Sequence, residues 1–393
     1  MARTVFLHIG LPKTGTTHLQ GILWANKGEL LGQGILLPGR SSRQHLWASG
    51  AVREDPRLRR RMPEAMQAWE QLAAEVNAWR GTALVSHEFF AAATAEQAVR
   101  ALALLDDDEA PGTTEVHVVL TARETLSLVT ARWQEFVKNG ASVPVDDYPV
   151  HDEPRSGEEW DWGTLDLAAV LERWSAAVPR DRIHVLTLPG PTDPEDALWR
   201  RFAGVVGIDP DACRVGERAR NESLGLVEVE LLRRVNADLE DFGSARDRGV
   251  WIRGYLAEGK LVHPEGERFW PADKRVAELT ERGTRIAEEV VAGGYHIVGD
   301  PAALRPPAQV PHRRHPDDVG EGELLAAATR LIAAMLTDVR ALTREKHGLQ
   351  DALAAVPPPP GPPPPLHRRV LPAVRRRLPA VRRRLPGRRR GRA

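Results

Sequence analysis

The sequence contains a single cysteine, no long apolar run and no histidine spacing typical of a metal site. With Cys213 alone, neither a disulfide within the chain nor a cysteine-based zinc site can form. No segment has the roughly 18 consecutive apolar residues of a membrane-spanning helix. The first apolar run starts at Thr4, which leaves no room for a signal peptide before it. We therefore expect a cytoplasmic protein in a reducing compartment, with no metal ion in its site.

The formal net charge is zero, but the charges are segregated along the chain. Residues 357–393 contain 12 arginines and no acidic residue, which leaves 42 basic against 54 acidic residues, about −12, in residues 1–356. A PPPPGPPPP spacer precedes these arginines. We predict that residues 356–393 are disordered and bind an anionic membrane surface or another polyanion, which would make the protein membrane-peripheral. A merely solubilising extension is the alternative.

Short, nearly continuous apolar runs alternate with longer amphipathic segments in the first two hundred residues. The runs are residues 5–9, 82–86, 116–121 and 183–188. Continuous apolar runs are typical of parallel strands buried on both faces, and the intervening segments are long enough for helical crossovers. The pattern predicts an α/β domain over residues 1–305, a parallel sheet flanked by helices. Proline and charge then return, which indicates a linker at residues 306–320.

Apolar positions repeat every seven residues between 321 and 355. One seam is Leu325, Ile332, Val339 and Leu353, interrupted by Lys346, and the other is Ala328, Met335, Leu342 and Leu349. Heptads over about four repeats are typical of a coiled coil. An amphipathic helix docked on its own domain shows the same periodicity. The sequence thus predicts a helix at 321–355 and leaves open whether it forms a homo-oligomer.

The strongest chemical signal is VFLHIGLPKTGTTHLQ, residues 5–20. An apolar strand ends at Gly10, a loop with Lys13 and Gly15 follows, and Thr16 begins a helix. This order places backbone N–H groups and the positive end of a helix dipole around one anion. The segment therefore predicts an anion-binding loop, against the alternative of a strand–helix turn that binds nothing.

This loop differs at one position from the P-loop pattern of nucleoside triphosphate hydrolases. The pattern GxxxxGK[ST] is matched at Gly10, Gly15 and Thr17, but Thr16 occupies the position of the lysine. In ATPases and GTPases that lysine reaches the β- and γ-phosphates. Lys13 lies inside the loop instead, which indicates a ligand with a shorter anionic chain.

The run PKTGTT, residues 12–17, resembles the 5′-phosphosulfate loop of sulfotransferases that use 3′-phosphoadenosine 5′-phosphosulfate (PAPS). The family has a P-loop-type parallel sheet, in agreement with the α/β domain above, and the resemblance extends over about residues 5–298. It implies that Lys13 stabilises charge on the bridging oxygen as the S–O bond breaks. The loop residues implied to bind this co-substrate are Pro12, Lys13, Thr14, Gly15, Thr16 and Thr17.

In this family, an arginine that follows another strand and a serine eight residues later bind the 3′-phosphate. Arg123 follows the predicted strand at 116–121 and matches the arginine. Its planar guanidinium can donate two hydrogen bonds to a phosphate. The eighth residue after it is Ala131, so the pattern is broken there, and Ser127 and Thr130 are the candidate hydroxyl donors. An arginine paired with an acid or capping the sheet is the alternative.

Sulfuryl transfer to a hydroxyl or amine also needs a base near the loop. The predicted strand at 82–86 is followed by His87 and Glu88, and the family's base comes from this neighbourhood. Histidine titrates near neutrality, whereas a glutamate needs burial or a like charge to become equally basic. Bacterial members of the family that have a similar loop favour the glutamate as the base at this strand end. Consecutive strand residues point to opposite faces, so only one of the two can reach the loop.

The sequence thus predicts a PAPS-dependent sulfotransferase with an unidentified hydroxyl or amine acceptor on a carbohydrate, lipid or small metabolite. A P-loop small-molecule kinase is one alternative, opposed by the missing lysine after Gly15. The other is a non-catalytic nucleotide-binding or scaffold protein that works through its heptad helix and basic tail.

Overall fold

The computed structural model describes residues 3–105, 114–151, 160–216, 223–262 and 266–355. Its centre is a sheet whose six strands in these ranges are all parallel. The strands are β1 (Arg3–His8), β2 (Ile35–Leu36), β3 (Thr82–Ser86), β4 (Thr114–Ala122), β5 (Ile183–Thr187) and β6 (His296–Val298). Their order across the sheet is β2-β3-β1-β4-β5-β6. The α/β fold with a parallel sheet is confirmed.

Helices connect and cover the strands. They are α1 (Thr16–Ala25), α2 (Lys27–Gly32), α3 (Ser42–Val52), α4 (Pro56–Arg61), α5 (Ala68–Ala78), α6 (Ala95–Ala103), α7 (Thr125–Lys138), α8 (Trp162–Leu165), α9 (Leu167–Ser175), α10 (Ala197–Val206), α11 (Leu226–Asp238), α12 (Ala245–Asp247), α13 (Asp273–Ala292) and α14 (Glu321–Ala354). A π-helical segment, Arg248–Leu261, follows α12 directly. Short 3-10 turns occur at Pro63–Gln67, Glu88–Ala92, Val145–Asp147, Arg180–Arg182, Pro210–Ala212, Pro301–Leu304 and Pro316–Asp318.

The central strands are apolar on both sides because helices cover both faces of the sheet. Val5 and Leu7 of β1 belong to the larger core, together with residues of α5, α7 and α9. Phe6 points the other way, into a second core formed mainly with α1 and α10. Successive side chains of a strand alternate between faces. This double burial explains why the strands appear in the sequence as continuous apolar runs rather than alternating ones.

The sequence identified the four central strands, left residues 295–298 open between a short strand and a loop, and missed β2. β2 has two residues and β6 has three, too few for a periodic pattern. Residues 296–298 pair with β5, and residues 35–36 pair with β3. The edge strands are therefore defined by backbone hydrogen bonds to a neighbour that is distant in sequence.

The chain divides into two compact units, Met1–Met335 and Leu336–Ala393. In the first unit, the predicted linker packs locally: Val319 is buried, and the Trp270 indole donates a hydrogen bond to the Pro311 carbonyl at 3.0 Å. In the second unit, the described residues continue α14 to Ala354. The predicted tail at 356–393 lies outside the described residues. No helix in the described ranges is long and apolar enough to cross a membrane.

Candidate functional site

The loop between β1 and α1 lies at the carboxyl edge of the sheet and has three residues with left-handed backbone angles. They are Gly10 with φ 39°, Lys13 with φ 67° and Gly15 with φ 88°. A Cβ on Gly10 would lie 2.4 Å from Thr16 Cγ2, and one on Gly15 would lie 2.6 Å from Leu198 Cδ2. Both positions therefore require glycine on steric grounds. Lys13 adopts this conformation at a cost of about 1 kcal/mol, which is typical of a functional site.

The loop leads directly into the N-terminus of α1, which begins at Thr16 without a side-chain cap. The first turn of a helix has N–H groups with no partner inside the helix. Here Gly15 occupies the cap position and offers no side chain to satisfy them. These N–H groups and the helix dipole can therefore serve an anion bound in the loop.

Two hydrogen bonds fix the loop against the end of β4. The Leu11 N–H donates to the Thr121 carbonyl at 3.2 Å, and the hydroxyls of Thr14 and Thr121 lie 2.6 Å apart. The Thr14 hydroxyl also donates to the Leu11 carbonyl. Thr14 is fully buried, so its side chain supports the loop from inside, and only its backbone N–H suits the anion-binding role that the sequence predicts. Of the other loop positions, Pro12 is buried, as is Thr16, while Thr17 is exposed.

Lys13 pairs with a carboxylate from a distant helix. Its Nζ lies 3.0 Å from Oε2 of Glu135 on α7, and Arg253 of the π-helical segment lies 2.5 Å from the other oxygen. Burial alone would raise the pKa of Glu135, but the charges of Lys13 and Arg253 outweigh burial and lower it. The carboxylate is therefore ionised, and it holds the Lys13 ammonium beside the loop.

Glu88 lies against the loop at Gly10. A Cβ built on Gly10 would lie 3.5 Å from the Glu88 Cβ. The Gln20 amide of α1 donates a hydrogen bond to Glu88 Oε2 at 2.9 Å. Burial opposes ionisation of this carboxyl, but the neighbouring His87 and the Gln20 hydrogen bond outweigh burial and lower the pKa of Glu88. Glu88 is thus an ionised carboxylate at neutral pH, held in one orientation beside the loop.

His87 has a different environment from Glu88. Its Nδ1 accepts the Phe89 N–H at 3.2 Å and so caps the short turn Glu88–Ala92. The Ser49 hydroxyl lies 3.4 Å from the same nitrogen. Burial lowers the pKa of the His87 imidazole, partly opposed by Glu88. These contacts give His87 a structural role at the end of β3. Glu88 is the one of the two that lies against Gly10, but its lowered pKa makes its carboxylate a weaker base than that of a free glutamate.

His8, the last residue of β1, also lies at the site, although no sequence pattern marks it. Its ring is fully buried, and Nδ1 lies 2.7 Å from the Ser86 hydroxyl. Within the described ranges, Nε2 has no hydrogen-bond partner, and it lies 3.4 Å from the Cβ position built on Gly10. Burial lowers the pKa of His8 to about 4, so the ring is neutral at physiological pH. A buried polar atom without a partner beside the loop is suited to meet a bound ligand.

Arg123 follows β4 directly, at the edge of the sheet where the loop lies. Within the described ranges, its guanidinium makes no hydrogen bond or ion pair. Burial lowers its pKa, Glu124 partly opposes this, and the charge of Arg268 lowers it further. Burial lowers the pKa of Arg313, and the charges of Arg268 and Arg123 lower it further. The Arg313 guanidinium lies 4.0 Å from the centroid of the Trp270 ring.

The charges of three arginines thus act on one another where the sequence identified one arginine. Arg268 and Arg313 follow Arg123 by more than a hundred residues, so no local motif links them to it. Glu124 offsets part of the repulsion among them, and the three guanidinium charges still exceed that single carboxylate. The cluster is therefore a candidate site for a phosphate.

Of the two candidate hydroxyls near Arg123, that of Ser127 is more available to a ligand than that of Thr130. The Thr130 hydroxyl donates to the Leu126 carbonyl of its own helix at 2.9 Å. Ser127 lies in the first turn of α7, where its N–H donates to Glu124 Oε1 at 2.8 Å. The structure thus makes Ser127 a better candidate donor than Thr130.

The described residues contain no group of three or more His, Cys, Asp or Glu side chains with metal-binding geometry. A reaction without a metal ion stays a prediction.

Comparisons with known proteins add little to this picture. No family model matches the chain, and no curated protein matches it. Among solved structures, a sulfotransferase from Alicyclobacillus acidocaldarius is similar, with 14% sequence identity over 61% of this chain and 94% of that one. The TM-score is 0.36. A likeness this weak carries no argument about activity, so any functional assignment depends on the site itself.

Proposed function

We propose that this protein is a sulfotransferase that moves the sulfuryl group of PAPS to a hydroxyl or amine of an acceptor. The observation that carries the proposal is the meeting of three features at the carboxyl edge of the sheet. The glycine loop contains Lys13 and has Thr16 at the position of the kinase lysine, and an ionised Glu88 lies against Gly10. Arg123, which follows the adjacent strand β4, interacts with two further arginines. Together they supply an anion site, a base and a second phosphate site.

The donor fits the residues present. The left-handed glycines and the uncapped start of α1 suit the 5′-phosphosulfate. Arg123, with Arg268 and Arg313, suits the 3′-phosphate, because guanidinium groups bind phosphate through paired, charge-assisted hydrogen bonds. Lys13 is the only cation inside the loop segment and is held there by Glu135. The donor supplies the transferable sulfuryl group and a phosphate leaving group.

The protein residues divide the chemistry between them. Glu88 accepts the proton of the acceptor O–H or N–H as that atom forms its bond to sulfur, and the carboxylate becomes a carboxylic acid. The bond from sulfur to the bridging phosphate oxygen breaks, and Lys13 stabilises the negative charge that this oxygen gains. Gln20 fixes the orientation of Glu88 through its 2.9 Å hydrogen bond. The contacts of Lys13 with Glu135 and of Glu88 with Gln20 support these roles.

The experiment compares Lys13→Ala with Lys274→Ala. Lys274 is a matched control because its side chain is 91% exposed, on the surface of α13. Labelled PAPS is offered with pooled metabolites and lipids, and sulfated products are identified by mass spectrometry. We expect Lys13→Ala to lose about 100-fold in turnover without a change in melting temperature. Lys274→Ala should match the wild type.

The other outcomes are equally clear. Full turnover by Lys13→Ala would refute the assigned role of the loop. Phosphorylated products with ATP in place of PAPS would support the kinase alternative. If the full chain binds neither nucleotide, the scaffold alternative replaces the enzyme.

A further inference from the structure

Helix α14 carries two neighbouring apolar stripes, of which one is covered and the other is mostly exposed. The covered stripe consists of Leu324, Ala327 and Leu331, which are buried in the core of the first unit. The seven-residue repeat lies on another stripe, where Leu325 is 69% exposed and Ile332 is 57% exposed. Of the heptad residues, Ala328 also packs against this core, but the contact of the helix with its own domain does not cover Leu325 or Ile332.

The heptad residues of the described second unit are also exposed. Their exposed fractions are 56% for Val339, 62% for Leu342, 64% for Leu349 and 74% for Leu353. Scattered single apolar residues on a surface need no explanation, but a continuous stripe does. At 34 residues, α14 is about 50 Å long, and its repeat is long enough for a coiled coil.

We propose that α14 forms a parallel, two-stranded coiled coil with α14 of a second copy of this chain. The residue types at the two seams select this partner. The middle of one seam has β-branched Ile332 and Val339, with leucine at its two ends, and the other seam has Leu342 and Leu349 after Ala328 and Met335. In parallel coiled coils, β-branched residues at the first position with leucine at the second favour two strands over three or four. The inference rests on α14 alone and is independent of the proposed activity.

Lys346 is the feature that makes the partner specific. It occupies a seam position, where Lys346 of the second copy would face it in a parallel, in-register pair. A single lysine at such a position reduces stability but fixes register and the number of strands. The lysine stem can pack along the seam while its ammonium reaches water at the edge. A helix that merely docked on an apolar groove would gain nothing from a charge at this position.

The test measures the oligomeric state of the full chain by analytical ultracentrifugation over a wide range of concentration. We expect a dimer for the wild type, and at least ~100-fold weaker association for Val339→Asp, because each dimer would bury two carboxylates in an apolar seam. Arg344→Asp is the matched control, since Arg344 lies on the opposite side of α14 from the seam and should leave the dimer intact. Circular dichroism verifies that both variants fold.

Two further variants test the geometry. Lys346→Ile should tighten association, since it removes the charged residue from the seam. Leu349→Cys in a Cys213→Ser background should form a disulfide between copies on oxidation, because a parallel, in-register pair brings these two positions together. A wild-type monomer at every concentration, equal association of Val339→Asp and wild type, or no cross-link at position 349 would each overturn the parallel coiled coil.

Discussion

Replacing Arg123 tests the donor site without any knowledge of the acceptor. Its guanidinium follows β4 beside Arg268 and Arg313 and makes no hydrogen bond or ion pair within the described ranges. Arg123→Ala therefore breaks no hydrogen bond or ion pair seen there, and we expect the melting temperature to change little. The loss should appear in the affinity for a nucleotide with a 3′-phosphate.

The magnitude follows from the chemistry of the contact. A hydrogen bond to a charged group contributes about 1.5–3 kcal/mol, which corresponds to roughly 10- to 150-fold in dissociation constant. Arg268 and Arg313 remain in the variant and can still attract the phosphate. We therefore expect a loss near the lower end, about 10- to 30-fold.

Isothermal titration calorimetry with two nucleotides provides the assay. Adenosine 3′,5′-bisphosphate carries the phosphate that Arg123 is proposed to bind, and adenosine 5′-monophosphate lacks it. Arg123→Ala should weaken binding of the first and leave the second nearly unchanged. Arg305→Ala is the control, since this arginine is 52% exposed and its 3.8 Å ion pair is to Glu288. Equal losses for both nucleotides, or no loss for either, would refute the 3′-phosphate assignment.

Three other predictions address the base, the pH dependence and the tail. Glu88→Gln should reduce turnover far more than PAPS affinity, while His87→Ala should mainly lower the melting temperature; the reverse pattern in single-turnover assays would exchange their roles. Burial lowers the pKa of His45 to about 4, so between about pH 4 and 6.5 the unfolded chain binds a proton that the folded chain does not. The free energy of unfolding should therefore fall as the pH decreases through this range, by up to ~3 kcal/mol from this residue. Thermal melts should therefore show a shallower pH slope for His45→Gln, and an unchanged slope would contradict this. Deleting residues 357–393 should abolish salt-sensitive co-sedimentation with anionic vesicles, and equal sedimentation of both forms would remove the membrane proposal.

The sequence alone determined the central part of the fold and the anion loop. Four strands were evident because helices bury them on both faces, which requires apolar side chains at nearly every position. The loop was evident because left-handed backbone angles and close packing restrict residues 10 and 15 to glycine. These constraints act over a few neighbouring residues, so they appear as local patterns. The catalytic and binding roles of the loop stay predictions.

Only the tertiary structure revealed which distant groups meet at that loop. The pairing of Lys13 with Glu135 joins residues 122 positions apart. The cluster around Arg123 includes Arg268 and Arg313, which come much later in the sequence. The sequence offered both His87 and Glu88, and local geometry distinguished them: one imidazole caps a turn, and one carboxylate lies against Gly10. Side-chain contacts of this kind depend on how the whole chain packs. No spacing within the sequence encodes them, because the strands that bring them together are separated by long helical connections.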